Sequence, residues 1–145
     1  MVEINNYNEE DVDLKSLIEL AESFLLYYNI DNNLVSIAFI SAKEMQNLNK
    51  EYRGKDKNTD ILSFPGMNDK DLLNNDKSLG ELVFNYKKIS EQASIFSVSV
   101  KKELDFIVVH GLLHLIGYTD NNEENRKEMI NLGNKFLNYY YENQK

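Results

Sequence analysis

Residues 34–40 read LVSIAFI, with serine the only polar side chain among them and valine and isoleucine supplying β-branching. A strand with one face in water alternates apolar and polar residues, and this segment has no polar face to offer. It is therefore expected to be an interior strand of a sheet covered on both sides. The flanks supply the cover. VEINNYN (2–8) can form a short first strand, and Val12, Leu17, Ile18, Leu20, Ala21, Phe24, Leu25 and Tyr28 then recur at helical spacing over residues 11–28. Directly after the apolar strand, SAKE (41–44) reads as a capping box opening a second helix through Tyr52.

Beyond that helix, RGKDKNT (53–59) has no periodicity and carries Arg53, Lys55 and Lys57. It runs into DILSFP (60–65), a strand closed by the single proline of the chain. The polar run GMNDKDLLNNDKS (66–78) is expected to be a mobile loop, and LGELVFN (79–85) a fourth strand. Helical spacing then predicts one helix from Tyr86 to about Phe96, one from Val100 to Ile116, and one from Glu123 to Tyr141. At 145 residues and 42% hydrophobic the chain can bury one sizeable core. The expectation is a single domain over 1–145, α/β (α+β) in class, with a mixed four-stranded sheet covered by helices.

There is no cysteine, which excludes disulfides, thiolate zinc sites and cysteine nucleophiles and leaves histidine and carboxylate as metal ligands. Both histidines fall in VVHGLLHLIGYTD (108–120). Two imidazoles on an apolar helix are compatible with a purely structural role. Residues four apart share a helix face, however, so His110 and His114 can aim at one point. Gly117 can end the helix in a left-handed conformation, and Asp120 then returns toward the pair. The pattern H-x-x-x-H-x-x-G-x-x-D has the spacing of the metzincin zinc site with a carboxylate as third ligand. Two imidazoles and one carboxylate suffice for a catalytic zinc with an open position. Glu123 or Glu124 could serve instead of Asp120 if the turn runs differently.

Position 111 bears on the chemistry. A zinc peptidase carries its general-base glutamate after the first histidine, and here that residue is Gly111. Peptide hydrolysis by that route is therefore not expected. Attack on a phosphodiester remains open, because a metal can lower the pKa of water and a nearby cation can neutralise phosphoryl oxygens. Arg53, one of two arginines, has the guanidinium suited to bidentate phosphate contact, although a solvated loop cation is its simplest reading. The net charge of −8 means that a nucleic-acid partner would need a local basic patch. MVEINNYNEE is neither basic nor apolar enough for a signal peptide, and no apolar run reaches the roughly 18 residues of a membrane span, so a cytoplasmic protein without membrane contact is expected.

Three blocks together resemble the YbeY family of bacterial rRNA endoribonucleases, also described as rRNA maturation factors. They are LNKEYRGKDKNTDILSFP, LGELVFNYKKISEQA, whose third residue is usually aspartate in the family, and ELDFIVVHGLLHLIGYTD. The resemblance implies a mixed four-stranded sheet, one Zn2+ per chain on a helix, and hydrolytic cleavage of single-stranded rRNA. That cleavage is linked to maturation of the small-subunit rRNA 3′ end and to ribosome quality control, with ribosomal proteins or an assembly GTPase as further partners. It makes His110 and His114 the first two metal ligands and gives catalysis to Arg53 and His114.

The chain departs from the family in two places. The family reads H-G-x-L-H-L-x-G-Y-D-H, so Thr119 stands at its aspartate and Asp120 at its third histidine, and FSVS (96–99) replaces its usual G-H-S. Either Asp120 is the third ligand, which also makes Mn2+, Fe2+ or Ni2+ acceptable, or the family's aspartate has slipped by one residue and the third ligand is lost. Besides a metal-dependent endoribonuclease, the sequence admits a non-catalytic ribosome-assembly factor retaining the fold and a metal site. An Fe(II) oxygenase also has the right ligand set.

Overall fold

The computed structural model describes residues 1–8, 10–66 and 78–144. In chain order the elements are β1 (Val2–Asn6), α1 (Leu14–Tyr27), β2 (Leu34–Phe39), α2 (Ala42–Arg53), β3 (Ile61–Pro65), β4 (Ser78–Phe84), α3 (Tyr86–Ile95), α4 (Val100–Leu115) and α5 (Glu123–Asn143). The strands form one sheet in the order β1-β2-β4-β3. β1 and β4 run parallel to β2, and β3 runs antiparallel to β4, so the sheet is mixed and β3 is an edge. Every predicted element is present. The first helix begins at Leu14 rather than at residue 11, because Asp13 caps it by accepting from the Ser16 N–H at 3.1 Å. Most of the polar run 66–78 lies outside the described residues.

The doubly covered strand has a physical partner on each face. Val35, Ile37 and Phe39 of β2 join Leu82 and Phe84 of β4 in the main core with Phe24 and Leu25 of α1, Leu112 of α4 and Phe136 of α5. On the opposite face Ile40, Leu62 and Val83 close over Met45 of α2. The capping-box serine does its part here, since Ser41 Oγ accepts from the Glu44 N–H at 3.2 Å and starts α2 directly after β2.

α4 is the central helix, buried along most of its length from Glu103 to Leu115. It lies very close to the sheet. A Cβ on Gly111 would stand 2.5 Å from Ile61 Cδ1 and 3.0 Å from Leu82 Cδ2, so glycine lets the helix approach β3 and β4 without displacing those side chains. That approach sets the histidine face of α4 beside the β3 edge. At its other end α4 is tied to α5 through buried Asp105, which accepts from Lys101 Nζ at 2.8 Å and from the Tyr141 hydroxyl at 2.7 Å. Burial first, and then the Asp105 hydrogen bond and charge, push the Tyr141 phenol well above its ordinary range. No helix among the described residues is long and apolar enough to cross a membrane.

Candidate metal centre and cleft

α4 ends in a two-bond turn that builds half of the site. The Gly117 N–H donates to the His114 carbonyl at 3.1 Å and the Tyr118 N–H to the Leu113 carbonyl at 3.1 Å, with Gly117 at φ +110°. This is the Schellman pattern, and it reverses the chain so that Asp120 comes back over the helix face. Three donor atoms then converge. His110 Nε2 and His114 Nε2 are 3.2 Å apart, and Asp120 Oδ2 is 3.3 Å from the first and 3.6 Å from the second.

These separations match the donor-to-donor edges of a zinc tetrahedron, about 3.3 Å for bonds near 2.0–2.1 Å. The donor chemistry fits as well. His114 Nδ1 lies 3.1 Å from the Tyr118 carbonyl oxygen, which can only accept, so Nδ1 carries the proton and the Nε2 lone pair is directed at the common centre. Burial, and then the neighbouring His114, lower the His110 pKa, with the Asp120 carboxylate opposing them; the neutral form that a metal requires is thereby favoured. The imidazoles are 20% and 25% exposed and the carboxylate 43%, so the centre opens outward rather than being sealed. Among the described residues the possible metal-binding group contains His110, His114 and Asp120, but neither Glu123 nor Glu124.

The opening leads into a cleft of about 550 Å³ lined by both histidines, Asp120, Phe106 and Ile107 of α4's side, residues 61–64 of β3, and Tyr52, Arg53, Thr59 and Asp60. Arg53 thus shares one cavity with the metal-type cluster. It is the last residue of α2 rather than the first of a loop, because Gly54 at φ +69° closes the helix and donates to the Lys50 carbonyl at 3.0 Å. Lys55 and Lys57 do not line this cleft.

Sequence reading passed over two residues of the cleft and one buried acid elsewhere on α4. Tyr52, 62% exposed and packed edge-to-face on Phe64 at 5.4 Å, stands at the mouth beside Arg53. Phe106 stacks on His110 at 6.3 Å, and its spacing of four residues from His110 was the available signal. Glu103, one turn before Ile107, is buried, and its Oε2 has no hydrogen-bond partner. An acid inside an apolar helix was the signal there.

The fold and the cluster together define a small α+β protein whose central helix presents a two-histidine, one-carboxylate group to a cleft along an edge strand. The family model described as Endoribonuclease YbeY matches residues 3–141, and the chain belongs to the YbeY endoribonuclease family. The Endoribonuclease YbeY of Mycoplasmopsis synoviae is 39% identical over 135 residues, which cover 89% of this chain and 85% of that protein. That of Carboxydothermus hydrogenoformans is 40% identical over 140 residues, 94% and 95% of the two chains. Among solved structures, the solution structure of TM1509 from Thermotoga maritima superposes with a TM-score of 0.63 at 29% identity, covering 99% of this chain and 93% of that one. The family resemblance read from the three motif blocks and the mixed-sheet expectation are both borne out.

Proposed function

We propose that the protein is a metal-dependent endoribonuclease that hydrolyses single-stranded rRNA, acting in small-subunit 3′-end maturation and ribosome quality control in the cytoplasm, with residues 1–145 forming the hydrolase domain. The observation that carries this reading is that Arg53 and the His110–His114–Asp120 cluster line one open cleft. His110, His114 and Asp120 would hold one divalent ion, zinc by the donor spacing, with manganese, iron(II) or nickel admitted by the carboxylate. When bound, the ion supplies Lewis acidity toward a phosphoryl oxygen and makes water acidic enough to attack near neutral pH.

The chain's own groups supply the rest. Arg53 places a fork of N–H donors on the phosphodiester and offsets charge that builds on its oxygens. The Tyr118 carbonyl keeps the His114 proton on Nδ1, away from the reaction centre. Gly111 packs against Ile61 and Leu82, so the position from which a peptidase draws its general base faces the sheet and not the cleft. Membership of an endoribonuclease family supports RNA as substrate. Ribosomal proteins or an assembly GTPase would deliver the protein to its site.

The test is metal analysis of purified protein together with cleavage of single-stranded RNA by wild type, His114→Ala and Arg53→Ala. Metal in the wild type and cleavage lost in both variants are expected. A wild type that carries metal and binds RNA without cleaving it would instead identify a non-catalytic assembly factor.

A further inference from the structure

A second cavity, of about 350 Å³, continues from the cleft; the two share Arg53, Thr59 and Asp60. Arg53, Lys55, Lys57 and Lys88 line it, against Asp60 as the one carboxylate. In a chain of net charge −8 this gathering of cations runs against the average surface. Among the described residues none of the four makes a salt bridge or a side-chain hydrogen bond, whereas nearby Lys50 is matched by Asp56 at 3.9 Å.

Nor is the gathering an accident of loose side chains. Asn49, 1% exposed, donates its Nδ2 to the Lys57 carbonyl at 2.8 Å, and its backbone carbonyl accepts from the Lys55 N–H at 3.3 Å. Asn85, also 1% exposed, caps α3 by accepting from the Lys88 N–H at 3.2 Å. Its N–H donates to the Asp60 carbonyl at 2.9 Å. Two buried asparagines therefore fix the lysine loop to α2, and the start of α3 to the loop, and hold four cations together with Asp60 as the one acid among them. Like charges so placed repel and lower stability unless an anion joins them.

We propose that this cavity is a second phosphate subsite, in which Lys55, Lys57 and Lys88 take the phosphate of a nucleotide neighbouring the one in the metal cleft, with Arg53 at the junction. The inference rests on the endoribonuclease reading and deepens it. A substrate that fills both cavities is a single strand with at least two successive phosphates, and a mononucleotide is held by half of the site.

The test is fluorescence anisotropy with a labelled single-stranded phosphorothioate oligoribonucleotide, titrated at several salt concentrations, comparing wild type with the double variant Lys57→Ala/Lys88→Ala. Lys57 is exposed and Lys88 half-buried, and a double variant on α5, Lys127→Ala/Lys135→Ala, controls for net charge. Loss of two phosphate contacts should lower the slope of log affinity against log salt by about 1.4, at ~0.7 per contact on a single strand, and weaken binding about tenfold near 0.1 M salt. The α5 variant should keep the wild-type slope. Equal slopes in wild type and the Lys57/Lys88 variant overturn the subsite, as does an equal loss in the α5 control. If the wild type still cleaves RNA in either of those cases, the endoribonuclease reading stands without it. A wild type that neither binds nor cleaves RNA overturns both.

Discussion

His114 Nδ1 donates to the backbone carbonyl of Tyr118 at 3.1 Å, and this one bond links the ligand's tautomer to the turn that ends α4. The same Schellman turn sends the chain back to Asp120. Helix termination and ligand orientation are therefore one structural event, and disturbing the turn should disturb the centre.

Metal retention should fall unequally when the three donors are removed singly. His114→Ala takes away a donor that is fixed by both the helix and the Tyr118 carbonyl, and is expected to abolish bound metal. Asp120→Ala removes a donor on an exposed turn and should weaken binding by at least about tenfold. Elemental analysis of the purified variants checks this, and full occupancy in both would remove His114 and Asp120 from the ligand set.

Arg53→Ala should leave melting temperature and metal content near wild type, since Arg53 is exposed at the end of α2 and makes no ion pair among the described residues. Cleavage of single-stranded RNA should drop by on the order of 100-fold, the scale for losing one preorganised charge-stabilising group. Unchanged turnover would assign phosphate contact in the metal cleft elsewhere.

Replacing Asp120 by histidine changes the charge of the centre. Two neutral imidazoles and a carboxylate leave a divalent centre at about +1, and a third imidazole restores about +2. A more positive centre acidifies water further, so Asp120→His should move the pH profile of cleavage toward lower pH and narrow metal preference toward zinc. Both proteins must be loaded with the same metal and assayed on one RNA. Coincident profiles at full metal loading would place Asp120 outside the ligand set.

Glu103 carries a pH-dependent cost. Burial, and then the charge of Asp60, raise its carboxyl pKa, and Oε2 has no partner. With the folded value above the unfolded one, its neutral form is favoured at acid pH, and stability is lost as pH rises through the raised folded value. Glu103→Gln should therefore melt higher than wild type near neutral pH, by about 3 °C if the relief is about 1 kcal/mol. The gain should vanish below pH ~3.5, where the acid is protonated in both states. A gain that is independent of pH would assign the effect to packing.

The fold was legible wherever burial imposes a period. LVSIAFI announced a strand without a polar face, and the structure sets Met45 against one side and Phe24 and Leu112 in the core on the other. The metal-type cluster was legible because it is local: His110, His114, Gly117 and Asp120 fall within eleven residues that close on themselves at one chain reversal. What escaped is what depends on sheet order. β3 lies next to β4 and not between earlier strands, and only that placement sets residues 52–64 across from 106–120 to make the cleft. The approach of Lys88 to Lys55 and Lys57 is likewise a meeting of segments far apart in sequence, and charge counts average it away.

The three donors stand on unequal ground. His110 and His114 project from a helix whose opposite side, at Gly111, packs on the sheet, and they are 20% and 25% exposed. Asp120 is 43% exposed on a turn, and its side chain contacts the two imidazoles. On the proposed metal centre, position 120 would be a dial on a firmer mount: a substitution on this exposed turn would retune which ion is preferred while the helix that carries both imidazoles stays as it is.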